Sequence, residues 1–142
     1  MKKVQVLIGA AFLALSLGEG RVAAETDAKP VLNAKSVQIE KVAVGTAIEN
    51  RELLGEAKTF EESVPRVYCW TKVMTEHAPL KIKHVWYADG EKEAEVALDV
   101  NYSAVRTWSS KSIWPGSWKV DITNEVDEVL ATSEFTVQPT KP

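Results

Sequence analysis

Leu80-Lys81-Ile82-Lys83-His84-Val85-Trp86-Tyr87-Ala88-Asp89-Gly90-Glu91-Lys92-Glu93-Ala94-Glu95-Val96-Ala97-Leu98-Asp99-Val100-Asn101-Tyr102 is the stretch that decides the fold. Apolar and polar side chains alternate on both sides of Asp89-Gly90, a pair suited to a tight hairpin turn. Period two is the signature of strands, so Leu80–Tyr87 and Glu93–Tyr102 are predicted to pair antiparallel. A two-residue turn at Asp89-Gly90 sets Lys81 and Lys83 opposite Leu98 and Val96, mixing charge with apolar surface. A three-residue loop, Ala88-Asp89-Gly90, instead pairs Leu80 with Leu98, Ile82 with Val96 and His84 with Ala94. A slip of one residue turns every side chain to the other face, so burial selects the second register. Leu80, Ile82, His84 and Trp86 then share the inward face.

Outward from this hairpin the chain stays strand-like. Val67, Cys69, Thr71 and Val73 alternate against Tyr68, Trp70 and Lys72, and Val105–Ile113, Trp118–Thr123 and Val129–Val137 follow downstream. Upstream, Ser36–Val44 presents Val37, Ile39 and Val42/Val44. Ala47–Glu62 has the weakest pattern, with Arg51–Ala57 read as a short helix or a loop carrying Leu53 and Leu54 inward. About seven strands with regular turns and no long helix predict an all-β, antiparallel two-sheet sandwich of immunoglobulin-like architecture over residues 36–138. The paired cysteines of true immunoglobulin domains are missing.

Residues 1–24 read as an export signal. Met1-Lys2-Lys3 is followed by an apolar run to Leu17, and Val22 and Ala24 fit a small-residue cleavage site before Glu25. The run is shorter than the ~20 residues that span a bilayer. Residues 25–35 read as a flexible tether and 139–142 as a frayed tail. Cleavage removes Lys2, Lys3, Arg21 and Glu19, three bases and one acid, so the chain's net charge of −3 becomes −5. An acidic exported domain argues for a periplasmic or secreted location and against nucleic acid or a membrane surface as partner. Cys69 is the single cysteine, so no internal disulfide forms and the fold rests on burial.

Five tryptophans sit beyond residue 24: Trp70, Trp86, Trp108, Trp114 and Trp118. Trp118 alternates with Val120 and Ile122 and is predicted core, as is Trp86 by the hairpin register. Trp70 lies on the face opposite Val67, Cys69 and Val73, which makes it the best candidate for an exposed aromatic platform. Arg106-Thr107-Trp108-Ser109-Ser110-Lys111 adds two cations and a row of hydroxyls. Aromatic faces beside guanidinium, ammonium and hydroxyl donors suit a sugar or an extended peptide, with Arg106 and Lys111 available for a carboxylate. The candidate ligand-binding residues are therefore Trp70, Arg106, Trp108 and Lys111, with His84 and Trp86 beneath them. His84 needs a buried hydrogen-bond partner, for which Tyr102 and Ser103 are candidate hydroxyls.

Catalytic patterns are lacking: neither a nucleophile elbow nor a His-Glu-x-x-His helix occurs, and the acidic pairs look solvated. Cys69, Met74, His77 and His84 contain the ligand types of a blue-copper site, but both histidines follow the cysteine closely and His84 falls mid-strand, so no metal or other cofactor is predicted.

Taken as an ordered set, Val67-Tyr68-Cys69-Trp70-Thr71, His84-Val85-Trp86-Tyr87, Arg106-Thr107-Trp108-Ser109-Ser110-Lys111 and Gly116-Ser117-Trp118-Lys119-Val120-Asp121, closing on Phe135-Thr136-Val137, resemble domain-of-unknown-function family 2914. The resemblance spans roughly Phe60 to Val137. It implies a small β-rich domain of a bacterial family often exported or membrane-anchored, and it brings no activity with it. The sequence thus predicts a non-catalytic exported module. It binds an envelope polysaccharide, an extended peptide or a protein partner through an aromatic and basic surface, or it docks as an assembly factor on another envelope protein.

Overall fold

The computed structural model describes residues 37–140. The expected export signal and tether lie outside them. Among the described residues, ten strands, rather than about seven, follow in order: β1 Val37–Gly45, β2 Ala47–Glu49, β3 Glu52–Leu54, β4 Thr59–Glu61, β5 Arg66–Thr75, β6 Leu80–Ala88, β7 Glu91–Val100, β8 Ala104–Ser112, β9 Gly116–Thr123 and β10 Val129–Gln138. No helix occurs among the described residues. The strands form a five-stranded sheet in the order β4-β10-β9-β6-β7, a three-stranded sheet in the order β1-β5-β8 and the small hairpin β2-β3. Every pair is antiparallel except β10 with β4.

The decisive hairpin is β6-β7, and it reaches its apolar register by a route the sequence does not suggest. Asp89 and Gly90 both take positive φ, 49° and 85°, so the turn has two residues. Ala88 pairs with Glu91 and Tyr87 with Lys92, but Trp86 pairs with Ala94. Glu93 is thus an extra residue, a β-bulge that restores face parity one step beyond the turn. Beyond it Ile82 meets Leu98 and His84 meets Val96, two residues along from the predicted partners. The same device operates in β1, where the register shifts between Ile39 and Lys41. That shift is why Val37 and Ile39 share a face with Val42 and Val44 despite their odd and even numbers.

The two larger sheets face each other across one core. Val37, Val44, Val67, Cys69 and Val73 come from the three-stranded sheet, and Ile82, Trp86, Trp118, Val120, Ile122, Phe135 and Val137 from the other. Trp118 stacks on Phe135 at 5.8 Å between ring centroids, and Trp86 meets both edge-on. Ser63 donates its backbone N–H to Thr140 Oγ1 and Thr140 donates its own to Glu62, so the tail is tied down as far as Thr140 rather than frayed.

Arg51–Ala57 is neither helix nor inward loop. Ala47–Leu54 forms the β2-β3 hairpin, turning at Asn50 and Arg51 with φ of 52° and 64°. Two glycines close its base: a Cβ at Gly45 would stand 2.5 Å from the Leu54 carbonyl oxygen, and one at Gly55 2.1 Å from Thr46 Oγ1. Leu53 is half-buried, and Leu54 is exposed.

Candidate functional site

Strands β5 and β8 pair residue for residue, with Trp70 opposite Trp108, Lys72 opposite Arg106 and Cys69 opposite Ser109. Alternation sends Trp70, Lys72, Arg106 and Trp108 to the outer face and Cys69, Thr71 and Ser109 to the core. On the outer face the β2-β3 hairpin folds over Trp70, leaving it 5% exposed. The Trp70 indole donates to the Arg51 carbonyl at 2.9 Å, and Arg51 Nη2 reaches the Arg106 carbonyl at 3.4 Å. Trp70 is therefore no exposed platform: its outward parity is as predicted, but the hairpin shields it. Trp108 is half-buried.

Where the hairpin meets the sheet it leaves a groove of about 500 Å³, walled by Lys41, Arg51, Glu52, Trp70, Lys72 and Arg106. Arg106 pairs with Glu52, Lys41 with Glu56 at 3.4 Å and Lys72 with Glu40 at 3.5 Å. Of these three acids only Glu52 lines the groove itself. All three pairs are solvent-exposed, so each is weak and exchangeable. Four cationic side chains beside one carboxylate, with an indole edge behind them, make a place for an anion.

The inner face carries the opposite kind of chemistry. His84 is fully buried between the sheets. Its Nδ1 lies 2.6 Å from Ser109 Oγ and its Nε2 3.3 Å from Thr71 Oγ1. Thr71 Oγ1 donates to the Thr107 carbonyl at 3.0 Å, which leaves it to accept from His84. The proton consequently sits on Nε2, and Nδ1 accepts from the Ser109 hydroxyl. Ser109 Oγ accepts in turn from the Trp86 indole at 3.1 Å. Burial pushes the His84 pKa down to about 3, so the ring is neutral across the physiological range. Tyr102 and Ser103 are not its partners; Tyr102 is 73% exposed, in the loop after β7. Burial also raises the Cys69 thiol far above its ordinary value, which makes it inert.

Lys111 joins neither group. Its ammonium sits 4.8 Å from the Trp114 ring centroid and 5.9 Å from that of Trp118, at the end of the sandwich. The structure thus brings Trp70 and Arg106 together with Trp108 beside them, places His84 and Trp86 beneath in the core, and sends Lys111 elsewhere. Sequence reasoning misses Lys41, Arg51, Glu52 and Lys72. The signal that could have found Arg51 and Glu52 is Asn50 centred between Gly45 and Gly55, a hairpin bracketed by glycines.

A second hollow, about 570 Å³, lies against the five-stranded sheet near Lys58, Tyr87, Lys119 and Glu134. There Lys119 covers the Tyr87 ring at 4.7 Å and also approaches Asp121 at 3.7 Å. Elsewhere on that face Lys83 bridges Asp127 and Glu95, and Lys92 holds Glu95 at 2.7 Å. Hydrogen bonding to Lys92 and the nearby Lys83 charge keep Glu95 below the usual carboxylate range, and Lys83 does the same for Asp127. Lys83, Lys92 and Lys119 are thus held by acidic or aromatic partners, as Lys41, Lys72 and Arg106 are held by acids at the groove. Among the described residues no three His, Cys, Asp or Glu side chains converge to hold a metal ion.

Residues 79–137 match the family described as "Protein of unknown function (DUF2914)". The resemblance to that family therefore holds across β6 to β10, and the match leaves out β1 to β5, including the hairpin that builds the groove. No curated protein matches the chain at a significant level.

Proposed function

We propose that this domain is an exported, non-catalytic binding module that holds an anionic polymer, an acidic envelope polysaccharide first of all, in the groove between β2-β3 and the outer face of β5-β8. The observation that carries this reading is the convergence of Lys41, Arg51, Lys72 and Arg106 on one groove of an otherwise acidic chain. Export rests on the sequence of residues 1–24. Immunoglobulin-like architecture is supported by the strand order: β1-β5-β8 faces β10-β9-β6-β7, with β4 running parallel along β10.

Titrating the protein with oligogalacturonate and with a neutral glucan tests the reading. Binding to the acidic sugar alone, weakening as salt rises, is the expected result. Indifference to both sinks it.

A second reading, docking on another envelope protein, is favoured by Tyr102, Val126 and Val129, all more than half exposed. Leu80 pairs with Val100 and Lys83 with Thr123, so Tyr102 in the β7-β8 loop, Val126 in the β9-β10 loop and Val129 at the start of β10 lie at one end of the sandwich. Docking through the free edge of β7 is disfavoured, because Glu91, Glu93, Glu95 and Asp99 and the bulge block strand addition.

A further inference from the structure

We infer that Glu52 is a built-in competitor at the groove: its carboxylate occupies the Arg106 guanidinium until a carboxylate of an acidic sugar polymer displaces it. This rests on the groove reading above and narrows its ligand to carboxylate-bearing chains.

Three observations converge. Glu52 is the one acid among the groove's lining residues, whereas the acids on Lys41 and Lys72 sit outside it. It contacts Arg106 through a charge-assisted hydrogen bond, so a carboxylate on that guanidinium is sterically accommodated. The hairpin also has tethers to the sheet besides this contact, Trp70 Nε1 on the Arg51 carbonyl and Arg51 Nη2 on the Arg106 carbonyl. The hairpin is closed internally by the Thr46 N–H on the Leu54 carbonyl at 2.9 Å.

Glu52 and Arg106 side chains are 56% and 38% exposed, so an incoming anion reaches the pair without the fold opening. Glu52 meets the guanidinium through Nη1 alone, and a planar guanidinium can take a polymer carboxylate through two parallel N–H groups. Displacement therefore exchanges one exposed ion pair for another, and its cost is small. Binding is weakened by that cost and by repulsion between Glu52 and the polymer.

The experiment is calorimetric titration of wild-type protein, Glu52→Gln and Asp99→Asn with oligogalacturonate. Asp99 pairs with Lys81 on the far sheet, so its substitution removes the same unit of charge away from the groove. If Glu52 competes, Glu52→Gln binds about fivefold tighter, the worth of an exposed ion pair, and Asp99→Asn matches wild type. Melting temperatures of the three proteins should agree within a few degrees, so that a tighter Kd reports the site and not the fold. Wild-type binding with no gain in Glu52→Gln, or an equal gain in Asp99→Asn, overturns the competitor and leaves the groove reading standing. Absence of binding by both wild type and Glu52→Gln overturns the two together.

Discussion

Trp108 and Ser109 are neighbours in β8, yet they face two different kinds of environment. Outward, Trp108 shares a face with Arg106, where exposed ion pairs and the β2-β3 hairpin meet solvent. Inward, Ser109 links His84 to Trp86 in a buried core where each polar atom of this cluster has a defined partner. Composition alone inverts the assignment, since serine and histidine are the sealed residues and arginine beside tryptophan is the wetter pair. What separates the faces is satisfaction. A buried polar group needs a fixed partner, whereas an exposed one can exchange its partner for a ligand. The inner face is therefore expected to govern stability and the outer face binding.

The largest effect expected from this contrast comes from Trp86, which is fully buried and packs on both Trp118 and Phe135. Trp86→Ala should cost about 3–5 kcal/mol in denaturant unfolding, from lost burial and the cavity left behind. A loss below about 1 kcal/mol would mean that the inner face is not the stabilising one.

Acid should act through the same face. The His84 pKa falls from an ordinary 6.5 to about 3 on folding. Below pH 6.5 the unfolded chain takes up a proton that the folded chain refuses. This contribution to stability is complete above pH 6.5, declines as pH falls, and stops declining near pH 3. Between about pH 7 and pH 5 it amounts to about 2 kcal/mol. His84→Gln keeps an amide donor and acceptor but cannot titrate, so its stability should fall by about 2 kcal/mol less than wild type over that interval. The exposed carboxylates are common to both proteins and cancel in the difference. Equal pH slopes would show that His84 is protonated or hydrated in the fold.

Alternation is legible wherever a strand buries one face. It correctly places Leu80, Ile82, His84 and Trp86 inward, Trp118 in the core, and Trp70 on the face opposite Cys69. The bulges at Glu93 and near Glu40 are not legible, because parity says which face a residue takes and not how many residues the partner strand spends reaching it. The groove is hidden for a different reason. Its hairpin is two strands of three residues each, too short for a periodic signal, with a turn built on Asn50-Arg51 instead of glycine. Without the hairpin, Trp70 reads as an open platform and Glu52 as a solvated acid. Lys111 escapes for a third reason: its nearer aromatic partner, Trp114, lies in the β8-β9 connection, where no periodicity says which way a side chain points.

The smallest effect on stability belongs to Arg106. Its side chain is 38% exposed, and its partner Glu52 is more exposed still. Pairs of this kind gain little over their separate hydration and lose side-chain entropy on ordering. Arg106→Gln should change unfolding stability by less than about 1 kcal/mol, and the double variant with Glu52→Gln should differ little from either single change. Oligogalacturonate binding should nonetheless be lost in Arg106→Gln, because glutamine cannot present a charged fork to a carboxylate. A variant that keeps its stability and loses its ligand would separate the two faces of β5-β8 in one measurement. A stability loss as large as that of Trp86→Ala would instead make the outer face part of the scaffold, with the ion pair holding the hairpin down.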